Sequence, residues 1–149
     1  MKLIAHRGNL VGPFPDLENR PNYLEQAILQ GFDVEVDVWY INGELFLGHD
    51  EPTHPIYKEF LQRPEVWAHA KNFEALDFML NNAIHCFWHE NDARTLTSQG
   101  YVWTYPGKET ISKSVIVELG YQLQLENINI YGVCGDYVAN WKKTHSSLF

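Results

Sequence analysis

The run Asp33-Val34-Glu35-Val36-Asp37-Val38 alternates strictly between carboxylate and valine. Successive side chains of a strand leave opposite faces, so this run puts its valines on one face and its carboxylates on the other. Glu35 and Asp37 then emerge ~7 Å apart along the backbone. Like charges so close raise each other's pKa unless a cation intervenes. A hard divalent cation such as Mg²⁺ or Ca²⁺ is the natural partner of two carboxylates. The plain alternative is the solvated face of an edge strand. His6-Arg7-Gly8 ends the apolar run Leu3-Ile4-Ala5. It delivers an imidazole and a guanidinium to a strand's C-terminal edge, where parallel α/β proteins bind ligands. His gives or takes a proton near neutrality, and Arg is a fixed fork for phosphate or carboxylate. Asn42-Gly43 is a strong hairpin signal. It folds residues 44–48 back and carries His49 toward the strand of Glu35 and Asp37. Two imidazoles beside a metal suit in-line phosphoryl chemistry, one accepting a proton and one donating it.

The elements that must hold these groups alternate between strand and helix. Residues 3–5 read as a buried strand, and residues 8–20 as a loop broken by Gly8, Gly12, Pro13 and Pro15. Pro21 opens a helix with Tyr23, Leu24, Ala27 and Ile28 on one side, and Gly31 stops it. After the hairpin, a short helix is expected near 57–62 and a strand at 66–70. Asn72 caps a helix over 73–81 lined by Phe73, Leu76 and Leu80. A strand at 85–89 follows, then a short helix capped by Asp92 and ended by Gly100. Strands at 101–105, 114–119 and 130–134 and a helix near 136–143 complete the chain. Strands separated by helices predict a parallel sheet with crossovers, either a barrel or an open α/β sheet. Eight full units need ~250 residues, so a barrel of 149 residues must have stunted or missing helices.

Length and the lack of linkers or repeats predict one domain over 1–149. A net charge of -8 argues against a nucleic-acid partner, which needs a basic stripe. It argues equally against an anionic membrane surface. No apolar run approaches the ~18 residues of a membrane span. His6 and Arg7 interrupt the first residues too early for a signal peptide, so a cytoplasmic location is expected. Cys86 and Cys134 read as buried thiols rather than a disulfide. Trp88-His89-Glu90 and Trp103-Thr104-Tyr105 end predicted strands. They line the pocket from its far side or fill the core. Glu118, near another strand end, is a weaker candidate. His54, His85 and His145 read as structural or surface residues.

Four segments of the first fifty residues belong together in order and spacing. They are Ile4-Ala5-His6-Arg7-Gly8, Glu18-Asn19, residues 31–38 and Gly48-His49-Asp50. This arrangement resembles the glycerophosphodiester phosphodiesterase family, within the phospholipase-C-like phosphodiesterases. The resemblance returns at Val102-Trp103-Thr104 and at residues 131–137. It implies an α/β fold, a compact, reduced TIM-type (β/α) barrel with shortened or missing helices. It implies His6 and His49 as the acid/base pair, Glu35 and Asp37 as metal ligands, Arg7 and Lys71 as phosphate grips, and Glu18 in support. A substrate hydroxyl attacks phosphorus and forms a cyclic phosphate, which a hydrolase opens and a lyase releases. Where the family carries a third acidic ligand, two residues before the lysine, this chain has His69. If His69 ligates, imidazole shifts the expected metal from Mg²⁺ or Ca²⁺ toward Mn²⁺ or Zn²⁺; alternatively Glu18 or a water completes the shell. The alternative that His69 favours is a non-catalytic relative binding a phosphorylated ligand. The expected partner is a small phosphodiester, and thin helices over apolar strands favour a homodimer.

Overall fold

The computed structural model describes residues 1–125 and 128–149. Ten strands and four helices follow one another among them. In chain order they are β1 (Lys2–His6), α1 (Pro21–Leu29), β2 (Asp33–Ile41), β3 (Glu44–Leu47), β4 (His54–Pro55), α2 (Lys58–Leu61) and β5 (Val66–Ala70). The rest are α3 (Phe73–Asn81), β6 (Cys86–Phe87), β7 (Arg94–Leu96), β8 (Val102–Thr104), β9 (Ser114–Glu118), β10 (Gly132–Gly135) and α4 (Val138–Thr144). Most follow local chemistry. Pro21 presets the first helical φ of α1, and Gly31 takes the left-handed conformation just past its end (φ 84°). Asn42 and Gly43 both have positive φ, 51° and 82°, the signature of a tight hairpin between β2 and β3. The Asn72 side chain accepts from the Ala75 amide to cap α3. It also bonds both backbone groups of Tyr40, fixing α3 against β2.

The parallel strands lie in the order β6-β5-β2-β1-β10-β9-β8. β3 pairs antiparallel with the second half of β2, and β7 antiparallel with β8. The expected TIM-type barrel is therefore not present. The described residues form an open half-barrel, a mixed sheet with no ladder joining β6 to β7 or β8. Where a further crossover helix is expected, at 92–100, the chain instead forms β7. Its sequence, Arg-Thr-Leu followed by Thr97, has no helical stripe and carries the β-branched residues that favour strands. Hydrogen bonds outside any ladder bridge the gap, among them Ser98 N donating to the Cys86 carbonyl at 2.8 Å and Cys86 N donating to Ser98 Oγ at 2.9 Å. No helix among those described is longer than nine residues. None of the described helices is long and apolar enough to cross a membrane.

The two faces of the sheet carry separate cores. Val34, Val36 and Val38 pack outward with Leu24 and Ala27 of α1, Ala75 and Met79 of α3, and Trp141 of α4. The buried side of α3 is thus Ala75 and Met79, not the expected Phe73 and Leu80, which are exposed. Ile4, Trp67, Phe87, Trp103, Val115 and Cys134 fill the concave face. Gly135 permits the outer packing, since a Cβ there would lie 2.3 Å from the Trp141 ring. Both cysteines are buried and free.

Candidate metal centre and cleft

The concave face ends, at the C-terminal edge of β1, β2 and β5, in a cleft of about 450 Å³. Alternation along β2 aims Glu35 and Asp37 into it while the valines face the helices. β5 runs parallel to β2 with His69 in register with Asp37. As a result His69 Nδ1 lies 3.4 Å from Asp37 Oδ1 and 4.0 Å from Glu35 Oε1. One donor atom from each of these three side chains falls within 4.8 Å of the others.

The two carboxylates are held differently. Burial alone would raise the pKa of Asp37, but the His69 bond and the Arg7 charge hold it well below the usual carboxylate range. Asn19 clamps it, donating to Oδ2 at 2.9 Å and accepting from the Asp37 amide at 3.0 Å. Burial and the neighbouring Asp37 charge push Glu35 upward. Its Oε2 is buried without a hydrogen-bond partner, an arrangement costly for a carboxylate. Two carboxylates, one with an orphaned oxygen, and a facing imidazole fit a divalent cation, and the mixed oxygen and nitrogen donors suit Mn²⁺ or Zn²⁺.

His6 leaves the end of β1 beside this group. Its Nδ1 lies 2.9 Å from Asp136 Oδ1, and its Nε2 is 3.9 Å from Glu35 Oε2. Burial lowers the imidazole pKa, but the Asp136 bond and the Glu35 charge outweigh it and the net shift is upward. A carboxylate on Nδ1 fixes the tautomer and leaves Nε2 for chemistry. Arg7 takes a left-handed backbone, φ 53°, uncommon for a non-glycine residue. That turn sets its Nε 3.1 Å from Asp37 Oδ2, and its Nη1 donates to Glu18 Oε2 at 3.1 Å. Arg7 Nε is too far off axis to make a hydrogen bond to Asp37. Glu18 therefore braces Arg7 and Asn9 and stands outside the three-ligand group. Lys71 follows β5 with its Nζ 3.8 Å from Asp37 Oδ1. His49 reaches the cleft from the hairpin arm, half exposed, its Nδ1 2.8 Å from Asp50 Oδ1. Trp39 donates to the Gly48 carbonyl at 2.7 Å and pins that arm.

His6, Arg7, Glu35, Asp37, His49, His69 and Lys71 thus all line one cleft, and Glu18 lines an adjoining one. Asp136, Asn9 and Asn19 join the site although sequence reasoning gives them no role. Asp136 directly follows the last strand and Asn9 directly follows His6-Arg7-Gly8, positions that hint at the site. Their roles are set by contacts across the fold, such as Asn9 Nδ2 to Asp136 Oδ1 at 2.9 Å. His89 and Tyr105 also line the cleft, and the His89 ring stacks on His69 at 4.6 Å. His85 is buried against Trp67, as a structural histidine. Compared with known protein families, curated proteins and solved structures, the chain finds no match.

Proposed function

We propose that this protein is a metal-dependent phosphodiesterase acting on a small phosphodiester. The observation that carries the reading is the convergence of Glu35, Asp37 and His69 with His6 and His49 in one cleft. Glu35, Asp37 and His69 would hold the divalent ion, which when bound neutralises charge on the phosphoryl oxygens. Arg7 and Lys71 add the cationic grip, consistent with the sequence resemblance to glycerophosphodiester phosphodiesterases. Each is drawn toward Asp37, and Glu18 holds the Arg7 guanidinium at the edge of the cleft.

The chemistry of the chain's own groups follows. A substrate hydroxyl next to the ester bond attacks phosphorus. One imidazole takes its proton, the new P–O bond forms, and the bond to the leaving alcohol breaks. The other imidazole protonates the departing oxygen. In a hydrolase, water then opens the cyclic phosphate with the two roles exchanged. Asp136 keeps His6 in the tautomer that presents Nε2, and Trp39 holds the arm of His49.

A ³¹P NMR time course with glycerophosphodiesters in Mn²⁺, Mg²⁺ or Ca²⁺ tests the proposal. Conversion to a monoester is expected. A cyclic phosphate that persists identifies a lyase, and no turnover with any of these metals overturns the enzymatic reading.

A further inference from the structure

The cleft has two unlike walls. Glu35, Asp37 and His69 stand on β2 and β5, with His6, Arg7, His49 and Lys71 beside them. Facing them are Val117 of β9 and the residues that follow β6, β8 and β9, namely His89, Tyr105 and Leu119 with Glu90 at the edge, above the buried ring of Trp103. Tyr105 is 40% exposed and Leu119 is 49% exposed, so two large apolar side chains lie uncovered at the mouth of a charged site. The rings are not loose. Tyr105 stands edge-on to His89 at 5.5 Å, and its amide bonds the Ala93 carbonyl. Rigid rings with open faces bury area at little entropic cost.

A cavity of about 450 Å³ lies within the size range of sites for whole small molecules, and a phosphate occupies a small part of it. The cleft is also continuous at His6, Arg7, His49 and Leu119 with a second cavity, lined on its far side by charged and polar groups such as Asp16, Arg20 and Thr53. Leu119 stands at the junction, Tyr105 and Val117 lie on the first cleft alone, and a diester held between the histidines has one arm toward them and one arm toward the polar cavity.

Resting on the proposed phosphodiesterase reading, we infer that Tyr105, Leu119 and Val117 form a subsite for one alcohol of the substrate, and that this alcohol carries an apolar, flat group. The polar cavity takes the other alcohol. Glycerol alone leaves the ring faces uncovered, whereas a flat apolar group covers Tyr105 and Leu119 while its phosphate stays beside Arg7 and Lys71.

Calorimetric binding of phenyl phosphate and methyl phosphate in Mn²⁺ tests the inference. Phenyl phosphate is expected to bind about tenfold more tightly. The Tyr105→Ser/Leu119→Ser double variant, altered only at exposed positions, is expected to lose that preference and keep the methyl phosphate affinity. Tyr105→Phe is expected to retain the preference, because the ring rather than the hydroxyl carries it. Equal binding of the two esters by the native protein overturns the subsite and leaves the phosphate site standing. Binding of neither overturns the subsite together with the functional reading on which it rests.

Discussion

Asp33 and Asp37 sit on the same face of the same strand, and the fold treats them in opposite ways. At the N-terminal end of β2, Lys2 Nζ donates to Asp33 Oδ1 at 2.9 Å and Trp67 Nε1 donates to Oδ2 at 3.0 Å. Around that pair, Tyr101 and Tyr131 pack against the Trp67 ring. Both oxygens of Asp33 are thereby satisfied. At the C-terminal end, Glu35 and Asp37 are buried side by side, one carboxylate oxygen is orphaned, and the nearby cations crowd onto Asp37. A sheet built for stability would resemble its lower end at both ends. The contrast teaches that the upper end retains an electrostatic imbalance which a bound cation and a phosphate would relieve.

The sharpest break of the comparison comes from neutralising each end in turn. Glu35→Gln or Asp37→Asn is expected to lower phosphodiester turnover by on the order of 10³-fold. Glu35→Gln should at the same time raise the metal-free stability by about 1 kcal/mol, since it removes a buried charge crowded by Asp37. Asp33→Asn should do the reverse, leaving turnover within about twofold and costing about 1 to 2 kcal/mol through the lost charge-assisted bonds. Urea unfolding beside a diester assay reads both effects. A Glu35→Gln protein that is less stable than the native one would show that the upper end is not strained.

The acid/base pair is next in size. His6→Ala and His49→Ala are each expected to reduce turnover by about 10²- to 10⁴-fold with circular dichroism unchanged. Near-native activity in either variant removes that residue from the mechanism. His69→Glu should then change selectivity more than rate. With an all-oxygen ligand set, the ratio of Mn²⁺ to Mg²⁺ affinity should fall by about tenfold. Titration followed by the electron paramagnetic resonance of Mn²⁺ measures it. An unchanged ratio means His69 does not ligate.

The alternation of residues 33–38 is enough by itself to separate the two faces of β2, and Asn42-Gly43 is enough to place the arm of His49. Both signals are local, as are those that bound β5 and α3. The closure of the sheet is not legible in the sequence, because it depends on whether β6 pairs with a strand on its open side. Residues 92–100 carry a good helix cap in Asp92 but no helical stripe, and the edge of β8 draws them into a strand. Asn19 and Asp136 lie in segments that carry the resemblance, but their roles escape sequence reasoning for the same reason. Asn19 reaches Asp37 and Asp136 reaches His6 from distant segments, and no periodicity records such contacts. Asp33 shares the spacing of Glu35 and Asp37, and only Lys2 and Trp67, brought in by the fold, separate it from the site.

The smallest expected effect is a difference in pH response between the ends, carried by one histidine at each. His85 at the filled end is buried against Trp67, with Nε2 2.8 Å from Thr97 Oγ1. Burial lowers its pKa from 6.5 to about 4. Above 6.5 it is neutral in both folded and unfolded chains, and its contribution is fully present. As the pH falls from 6.5 toward about 4, the unfolded chain takes up a proton that the folded chain refuses, so stability is lost in that window. At His6 the signs reverse. Burial is outweighed by Asp136 and Glu35, and its pKa lies above 6.5 in the fold. Its contribution is fully present below 6.5 and is lost as the pH rises through the folded value. Metal-free protein should therefore gain from His6 on acidification down to about 6.5 and lose from His85 below it, each by at most about 1.4 kcal/mol per pH unit. Urea midpoints from about pH 4.5 to 8.5, with His85→Gln and His6→Gln as controls, separate the two. His85→Gln should flatten the acid limb alone and His6→Gln the alkaline limb alone. If both substitutions flatten the same limb, the two ends of the sheet do not titrate independently, and the contrast between them fails at its most local level.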